Sequence, residues 1–293
     1  MQKYVMENEE LRVEIRSQGA ELTSIRRKDT DTEYLWCADR KYWGWSSPVL
    51  FPLVGGLKDG AYTYQGKRYE MKQHGFARHQ EFTLLSQDDH EIWFCLKDSE
   101  ETRAVYPFAF CLKIGYRLEG SHLNVMWKVE NTGSGDMYFS IGAHPAFMCP
   151  LDGRGEQTDY YLGFAADEIS YQLIDPELHL EAAERYPLPL ENGLHKLEKD
   201  RFAKDALIVE HGQTNCVWLA DPERKPYVKV SFDAPLFGVW SPDCCEAPFI
   251  CIEPWWGRCD AVGFDGTLEQ REYGNHLEAG QEFRASYQIE ICK

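Results

Sequence analysis

Three side chains that can exchange a proton stand at breaks in strand-like patterns of this sequence. His74 precedes a glycine, which lets the backbone turn and leaves the imidazole facing a cavity. His144 ends an alternating strand and precedes a proline, and Glu253 follows four apolar residues and precedes a proline and two tryptophans. Imidazole and carboxylate groups are common general acids and bases, so the three segments predict acid–base chemistry.

Glu253 carries the strongest of these three signals. A carboxylate at the end of an apolar strand is costly to bury without a partner such as an arginine or a histidine. Desolvation near aromatic side chains raises the pKa of a carboxyl group toward the range that suits a general base. The three side chains are far apart in the chain, so only a β topology that folds back on itself brings them together.

Alternation of period two predicts strands from one end of the chain to the other. Residues 108–116 and 123–129 alternate on either side of a turn at 119–121, and together they predict a β-hairpin. Further strands are predicted at residues 11–15, 92–96, 137–141, 228–232 and 283–291.

Helical periodicity is confined to two short candidate helices, at residues 177–185 and 197–204. Residues 151–193 are more polar and predict loops and insertions rather than a domain boundary. No βαβ rhythm, fixed repeat or long linker occurs. We therefore predict an all-β protein, a single large antiparallel β-sandwich domain over residues 1–293 with few short helices.

The composition predicts an acidic, soluble protein. The chain has 293 residues, and its 48 acidic and 31 basic residues give a net charge of -17. Such a field repels phosphate backbones and anionic lipids, which argues against nucleic-acid and membrane partners. There is no apolar signal stretch at the start and no apolar run of spanning length. We therefore expect a cytoplasmic location and reduced thiols for the ten cysteines.

Five short motifs follow one another along the chain. In chain order they are F-P-L-V-G at residues 51–55, H-G-F-A-R at 74–78, A-H-P-A-F at 143–147, K-D-A-L-I at 204–208 and I-E-P-W-W-G at 252–257. Together they resemble the motifs of the aldose 1-epimerase, or galactose mutarotase, family, and they span most of the chain.

The resemblance implies an all-β supersandwich that binds a hexose in a cleft and interconverts its α and β anomers without a cofactor. Glu253 would act as the base on the anomeric hydroxyl, and His144 as the acid on the ring oxygen. His74 would position and polarise the ring-oxygen side of the sugar, and Asp205 would hydrogen-bond a sugar hydroxyl. Each acid or base contributes about 100- to 10,000-fold in rate.

Aromatic side chains near these motifs are candidates for stacking on the apolar face of a sugar ring. Trp43, Phe147 and Trp255 are the main candidates, and Trp45 and Trp256 are further ones. Packing in the core is the alternative role for each of them.

Arg78, in the H-G-F-A-R run, is a candidate for binding the substrate, including the phosphate of a hexose 6-phosphate. In the branch of the family that acts on such phosphates, a further arginine usually precedes the F-P segment, whereas residues 45–49 carry none here. Galactose mutarotases proper carry a Tyr/Phe-Phe-Asn type of sequence where this chain has residues 145–148. The choice of sugar and the need for a phosphate therefore stay open.

Two other functions would use the same residues. A glycoside hydrolase needs a second carboxylate, for which Asp243, Glu246 and Asp260 lie nearest in sequence. A non-catalytic sugar-binding protein would use the histidines only as donors and would not need Glu253 and His144 to face each other. In each case the partner is a small-molecule sugar, and we expect a monomer or weak homodimer.

Metal and phosphate-loop motifs are missing from the sequence. Cys244, Cys245, Cys251 and Cys259 form no C-x-x-C pair, so we expect no metal site. Residues 55–60 lack the spacing of a phosphate-binding loop and predict a hairpin turn instead.

Overall fold

The computed structural model describes residues 1–177, 179–180, 182–242 and 247–293. In these residues the chain forms mainly strands, one short α-helix, α1 (Glu100–Val105), and several single 3-10 turns. The strands are β1 (Lys3–Glu7), β2 (Leu11–Arg16), β3 (Glu21–Arg27), β4 (Val49–Leu50), β5 (Ala61–Tyr64), β6 (Lys67–Glu70), β7 (Thr83–Gln87), β8 (Glu91–Lys97), β9 (Phe110–Glu119), β10 (His122–Asn131), β11 (Met137–Phe139), β12 (Ile141–Ala143), β13 (Ala146–Met148), β14 (Tyr161–Phe164), β15 (Ile169–Tyr171), β16 (Tyr186–Leu188), β17 (Leu194–Lys196), β18 (Leu207–Glu210), β19 (Cys216–Ala220), β20 (Pro226–Phe232), β21 (Leu236–Trp240), β22 (Phe249–Trp256), β23 (Asn275–Leu277) and β24 (Glu282–Ile291).

The largest sheet is antiparallel and has nine strands, in the order β17-β14-β19-β20-β24-β10-β9-β8-β7. The predicted hairpin lies within it as β9 and β10, with Tyr116 opposite Val125. Along β10 every second residue is buried, because Leu123, Val125 and Trp127 face the core while the residues between them face outward. The alternation in the sequence therefore identified this sheet correctly.

A second sheet carries the candidate site. Its order is β18-β21-β22-β12-β4, and β13 also pairs with β22. All eight residues of β22 are buried, because both faces of this strand are covered. Ile250 and Ile252 join the main core with the inward residues of the nine-stranded sheet, whereas Phe249 and Cys251 lie in a separate cluster on the other face.

These two sheets enclose one hydrophobic core, so the predicted all-β antiparallel sandwich is confirmed. The polar segment 151–193 also contributes to it, because β14 pairs with β19 inside the large sheet. No helix in the described part of the chain is long and apolar enough to cross a membrane.

Both predicted helices are wrong in the residues that the structure describes. From 199 to 204 the chain makes turns, in which Arg201, Ala203 and Asp205 each donate to the carbonyl three residues earlier rather than four. In 177–185, Leu180 forms bridges with Ile174 and Ala261 instead of helical bonds. Leu178 and Glu181 of that segment lie outside the described residues.

The helix that does form, α1, begins with a capping box that the sequence analysis missed. The Ser99 side chain accepts from the Thr102 backbone N–H, and the Thr102 side chain accepts from the Ser99 N–H. Residues 55–60 do not form the predicted hairpin turn. They connect β4, which pairs with β12, to β5, which pairs with β6, so they cross between two sheets.

Candidate active site

Glu253 lies in the middle of β22, at the floor of a cavity. Its neighbours in the sheet include Gly238 on β21, and its side chain is only 1% exposed. Side chains alternate along a strand, so Cys251, Glu253 and Trp255 share one face of β22 while Ile252 and Pro254 point to the other. The apolar strand thus fixes the carboxylate in a desolvated position.

His144 stands between β12 and β13, where Pro145 ends the first strand. Its Nε2 atom lies 3.3 Å from Oε2 of Glu253, and the side chain is 7% exposed. Trp43 lies over the imidazole with ring centres 4.6 Å apart, and Trp240 meets it edge-on at 5.5 Å. These indole rings leave the imidazole little freedom to rotate away from the carboxylate.

His74 is held by unusual backbone geometry. It has a φ of 68°, and Gly75 after it has a φ of 69°. A Cβ on Gly75 would lie 2.3 Å from the carbonyl oxygen of Phe51, so only glycine fits there. Nδ1 of His74 accepts a hydrogen bond of 3.1 Å from the backbone N–H of Gly55. Nε2 therefore carries the hydrogen and can donate to a ligand.

Burial sets the charge of all three groups. Desolvation raises the pKa of Glu253 well above its usual value, and the nearby Asp205 carboxyl raises it further. Desolvation lowers the pKa of His144 well below 6.5, and that of His74 to about 3, with Arg78 adding to both shifts. Burial thus favours the neutral carboxyl group of Glu253 and the neutral imidazoles of His144 and His74.

The cavity above these groups has a volume of about 330 Å³, enough for a small ligand. It brings together seven of the eight predicted site residues, and Trp45 as well. Those lining it are His74, His144, Glu253, Arg78, Asp205, Trp43, Trp45 and Trp255. Desolvation raises the pKa of Asp205, and its Oδ1 accepts from the backbone N–H of Ala206 at 2.7 Å.

Phe147 does not line the cavity, so the structure does not place it where it could stack on a bound sugar as predicted. It lies opposite Ile250 on β22, is fully buried, and belongs to the main core. Trp256 is also in the core, where it meets Trp127 edge-on at 5.5 Å. Side-chain parity along the strands explains both cases, because each residue points away from the face that holds Glu253.

Trp240 is a cavity residue that the sequence analysis missed. It ends β21 opposite Cys251 and contacts His144. The sequence carried a signal for this residue: Trp240 ends an apolar run and is followed by Ser241 and Pro242, much as Glu253 is followed by Pro254. Gln73 and Cys259 also line the cavity and carried no such signal.

Trp45 of the cavity wall packs against two arginines, of which Arg78 also lines the cavity. The guanidinium carbons of Arg16 and Arg78 lie 5.3 and 5.5 Å from the ring centre of Trp45. Arg16 pairs with the buried Glu21, which also accepts from the backbone N–H groups of Ser46 and Ser47. Arg78 donates to the carbonyl of Gln73 at 3.0 Å, and its Nε has no partner among the described residues.

Of the three carboxylates considered as the second catalytic group of a hydrolase, the structure describes only Asp260, which lies outside the cavity lining. Asp260 accepts from Arg271 Nε at 2.7 Å and from the backbone N–H of Lys58 at 3.0 Å, and it does not line the cavity. Asp243 and Glu246 lie outside the described residues. The second carboxylate of the cavity is Asp205.

Comparison with known proteins identifies the family. A family model described as aldose 1-epimerase matches residues 2–289. The chain is 31% identical over 295 residues to the plasmid-encoded protein LacX of Lactococcus lactis subsp. lactis, and the match covers 98% of each.

Solved structures agree with this assignment. A galactose mutarotase related enzyme from Lactobacillus acidophilus is 38% identical, covers 100% of this chain and 98% of its own, and superposes with a TM-score of 0.94. A galactose mutarotase-like protein from Lactobacillus casei is 28% identical, covers 99% and 100%, and has a TM-score of 0.92. The chain therefore belongs to the aldose 1-epimerase family.

Proposed function

We propose that this protein is an aldose 1-epimerase that interconverts the α and β anomers of a hexose by general acid–base ring opening. One observation carries the proposal. A buried carboxylate and a buried imidazole, Glu253 and His144, lie 3.3 Å apart at the floor of a cavity lined by tryptophans. A site that only bound sugar would not need this proton-sharing pair.

The reaction uses the single proton of the pair. When a sugar displaces water from the cavity, the proton resides on His144 and Glu253 is ionised, because the sugar hydroxyls then solvate both charges. Glu253 takes the proton of the anomeric hydroxyl while His144 protonates the ring oxygen, and the ring opens. Rotation about the C1–C2 bond and the reverse transfers close the ring to the other anomer.

The other cavity residues hold the sugar. The His74 Nε2–H donates to the ring-oxygen side and remains neutral, since its pKa is about 3. Asp205 accepts from a hydroxyl group, and Trp43 and Trp255 pack against the apolar face of the ring. Rotation of the open chain requires room, which the cavity of about 330 Å³ gives.

The experiment is polarimetry of freshly dissolved α-glucose, α-galactose and glucose 6-phosphate, with and without protein, against the spontaneous drift. We expect acceleration with at least one of them. An aryl glycoside is the control, because it has no free anomeric hydroxyl and an epimerase leaves it intact. Hydrolysis of that glycoside would support the hydrolase alternative, in which Asp205 is the second carboxylate.

A hexose-6-phosphate 1-epimerase is the second candidate. It is favoured by Arg78, which lines the cavity with an Nε that has no partner in the described chain. An arginine can pair with a phosphate through two parallel hydrogen bonds. The Arg78→Ala substitution should then raise KM for glucose 6-phosphate about tenfold or more and leave KM for glucose nearly unchanged. Equal loss for both sugars would indicate that Arg78 supports Trp45 instead.

A non-catalytic, sugar-sensing protein is the remaining alternative. A folded sample that binds sugars without accelerating mutarotation would favour it. We further propose that residues 1–293 act as one domain, and that the protein works in the cytoplasm as a monomer or weak homodimer. Its partner would be a small-molecule sugar and neither nucleic acid nor membrane.

A further inference from the structure

The pair at the cavity floor has a third neighbour, the thiol of Cys251. One donor atom from each of His144, Cys251 and Glu253 lies within 4.8 Å of the other two, and all three residues are buried. The mutarotation mechanism has no use for this thiol. An imidazole nitrogen, a thiol sulfur and a carboxylate oxygen are the donors that proteins use to hold zinc.

The fold explains why the three donors meet. Cys251 and Glu253 are two residues apart on β22 and therefore share a face. His144 reaches that face from the break between β12 and β13, where Ala146 pairs with Cys251. The ring of Trp43 lies over the imidazole, with ring centres 4.6 Å apart. Two of the donors thus lie on a buried strand, and the third lies between two short strands that both pair with it.

The spacing suits a tetrahedral zinc ion. Zinc bonds of about 2.0 to 2.3 Å place neighbouring ligand atoms about 3.3 to 3.8 Å apart. The Nε2 atom of His144 and Oε2 of Glu253 are already 3.3 Å apart. A sulfur and a nitrogen or oxygen ligand of such an ion are about 3.5 Å apart, so the sulfur must approach by at most about 1.3 Å, since no separation exceeds 4.8 Å.

The charge balance of the three donors and an unbonded oxygen of Glu253 also favour binding of the ion. A zinc ion with one thiolate, one carboxylate and one neutral imidazole has no net charge, which lowers the cost of burying the charges. Oε2 of Glu253 makes no hydrogen bond to the residues that the structure describes. Two of the three donors, His144 and Glu253, line the cavity, from which an ion could reach them.

We propose that His144, Cys251 and Glu253 form a zinc site, and that zinc and sugar exclude each other. The ion occupies the lone pairs of the base and the acid, so the zinc-bound protein cannot exchange protons with a sugar. Cysteine spacing did not indicate this site, because its donors come from two distant segments and only one of them is a cysteine.

Zinc binding tests the proposal without any need for turnover. The background variant is Cys37→Ser, which removes an exposed free thiol that could bind zinc nonspecifically. Affinity is measured by competition with a chromophoric zinc chelator, and the ligands are identified by X-ray absorption at the zinc edge. We expect one zinc per chain, bound by one sulfur at about 2.3 Å and by nitrogen and oxygen ligands at about 2.0 to 2.2 Å.

Two buried cysteines give a matched comparison. Cys251→Ala should weaken zinc binding about tenfold or more and remove the sulfur signal. Cys149→Ala should change neither, because Cys149 is equally buried and lies outside the cluster. Thermal unfolding of both variants checks that they fold. If Cys251→Ala is unfolded, Glu253→Gln in the same assay takes its place and should also weaken binding.

Equal affinity in the Cys251→Ala and Cys149→Ala variants would overturn the proposal. So would a folded background protein that binds no zinc at submillimolar concentration, or bound zinc without a sulfur ligand. If this protein accelerates mutarotation, zinc should inhibit that reaction and a chelator should restore the rate. Excess sugar should in turn weaken zinc binding. A protein that binds zinc as expected but turns over no sugar would refute the proposed function and leave the zinc site standing.

Discussion

The backbone N–H of Gly55 donates a hydrogen bond to Nδ1 of His74, and this bond selects the tautomer that presents Nε2–H to the cavity. Gly55 can approach so closely because it has no side chain: a Cβ there would lie 2.5 Å from that of Cys259. The loop after β4 therefore orients the donor that His74 presents to the cavity.

This relationship predicts how substitutions of His74 behave. His74→Gln retains an N–H donor and should lower kcat/KM for the accepted sugar about tenfold. His74→Ala removes the donor and should lower it about 100-fold or more, in the range usual for one acid–base contact. Steady-state polarimetry measures both. Equal activity of the alanine variant and the wild type would show that His74 does not contact the sugar.

His144→Asn tests the acid. It keeps a polar side chain of similar size under Trp43 but cannot deliver a proton at neutral pH. We expect turnover to fall by about 100- to 10,000-fold with sugar binding retained. Binding is followed by the quenching of tryptophan fluorescence, since Trp43 and Trp240 line the cavity. A rate within twofold of wild type would exclude His144 as the acid.

The pH profile should have two limbs, because the active pair holds one proton. At low pH a second proton binds to His144, whose pKa burial holds below 6.5, so the rate falls on the acid side of that value. At high pH the remaining proton leaves Glu253, whose pKa burial raises well above 4.5, so the rate falls again. The measurement is kcat/KM from pH 4 to 9, corrected for the spontaneous reaction.

A different pH profile would contradict the proposal that Glu253 and His144 share one proton. If Glu253 acts alone and must be ionised, the rate falls as the pH drops through its raised pKa, and it stays level on the alkaline side. A flat profile over the whole range would argue against any titrating base.

Gly75→Ala tests the geometry that presents His74. The new Cβ would meet the Phe51 carbonyl at 2.3 Å in a left-handed backbone, and we expect a loss of about 2 to 4 kcal/mol in the free energy of unfolding. Gly60→Ala is the control, since Gly60 has a similar φ of 64° and open space around it. It should cost about 1 kcal/mol. Equal losses in denaturant unfolding would show that backbone strain, not the close approach, sets the cost.

The sequence predicted the sandwich because strands with one buried face leave an alternating pattern, as in β9 and β10. It predicted Glu253, His144 and His74 because each stands beside a proline or a glycine where the alternating pattern is interrupted, although β22 itself continues past Pro254 to Trp256. These signals are local in the sequence, so they can be recognised without knowledge of the tertiary fold.

Other features depend on tertiary contacts and could not be predicted. The parity that turns Phe147 into the core depends on its pairing with β22. The cluster of Cys251 with His144 and Glu253 depends on how distant strands meet. Residues 199–204 had a helical pattern, but they form turns that lead to Asp205 at the cavity.

The most direct test of the central claim is magnetisation exchange between the α and β anomeric protons of a sugar at equilibrium, measured by NMR with wild-type protein and with Glu253→Gln. Glutamine keeps the shape of the side chain and removes the base. We expect exchange well above the spontaneous rate with the wild type, and a rate at least about 100-fold lower with the variant, while both remain folded. Undiminished exchange in the glutamine variant would contradict the assignment of Glu253, and no acceleration by the folded wild type with any accepted sugar would contradict the proposed activity.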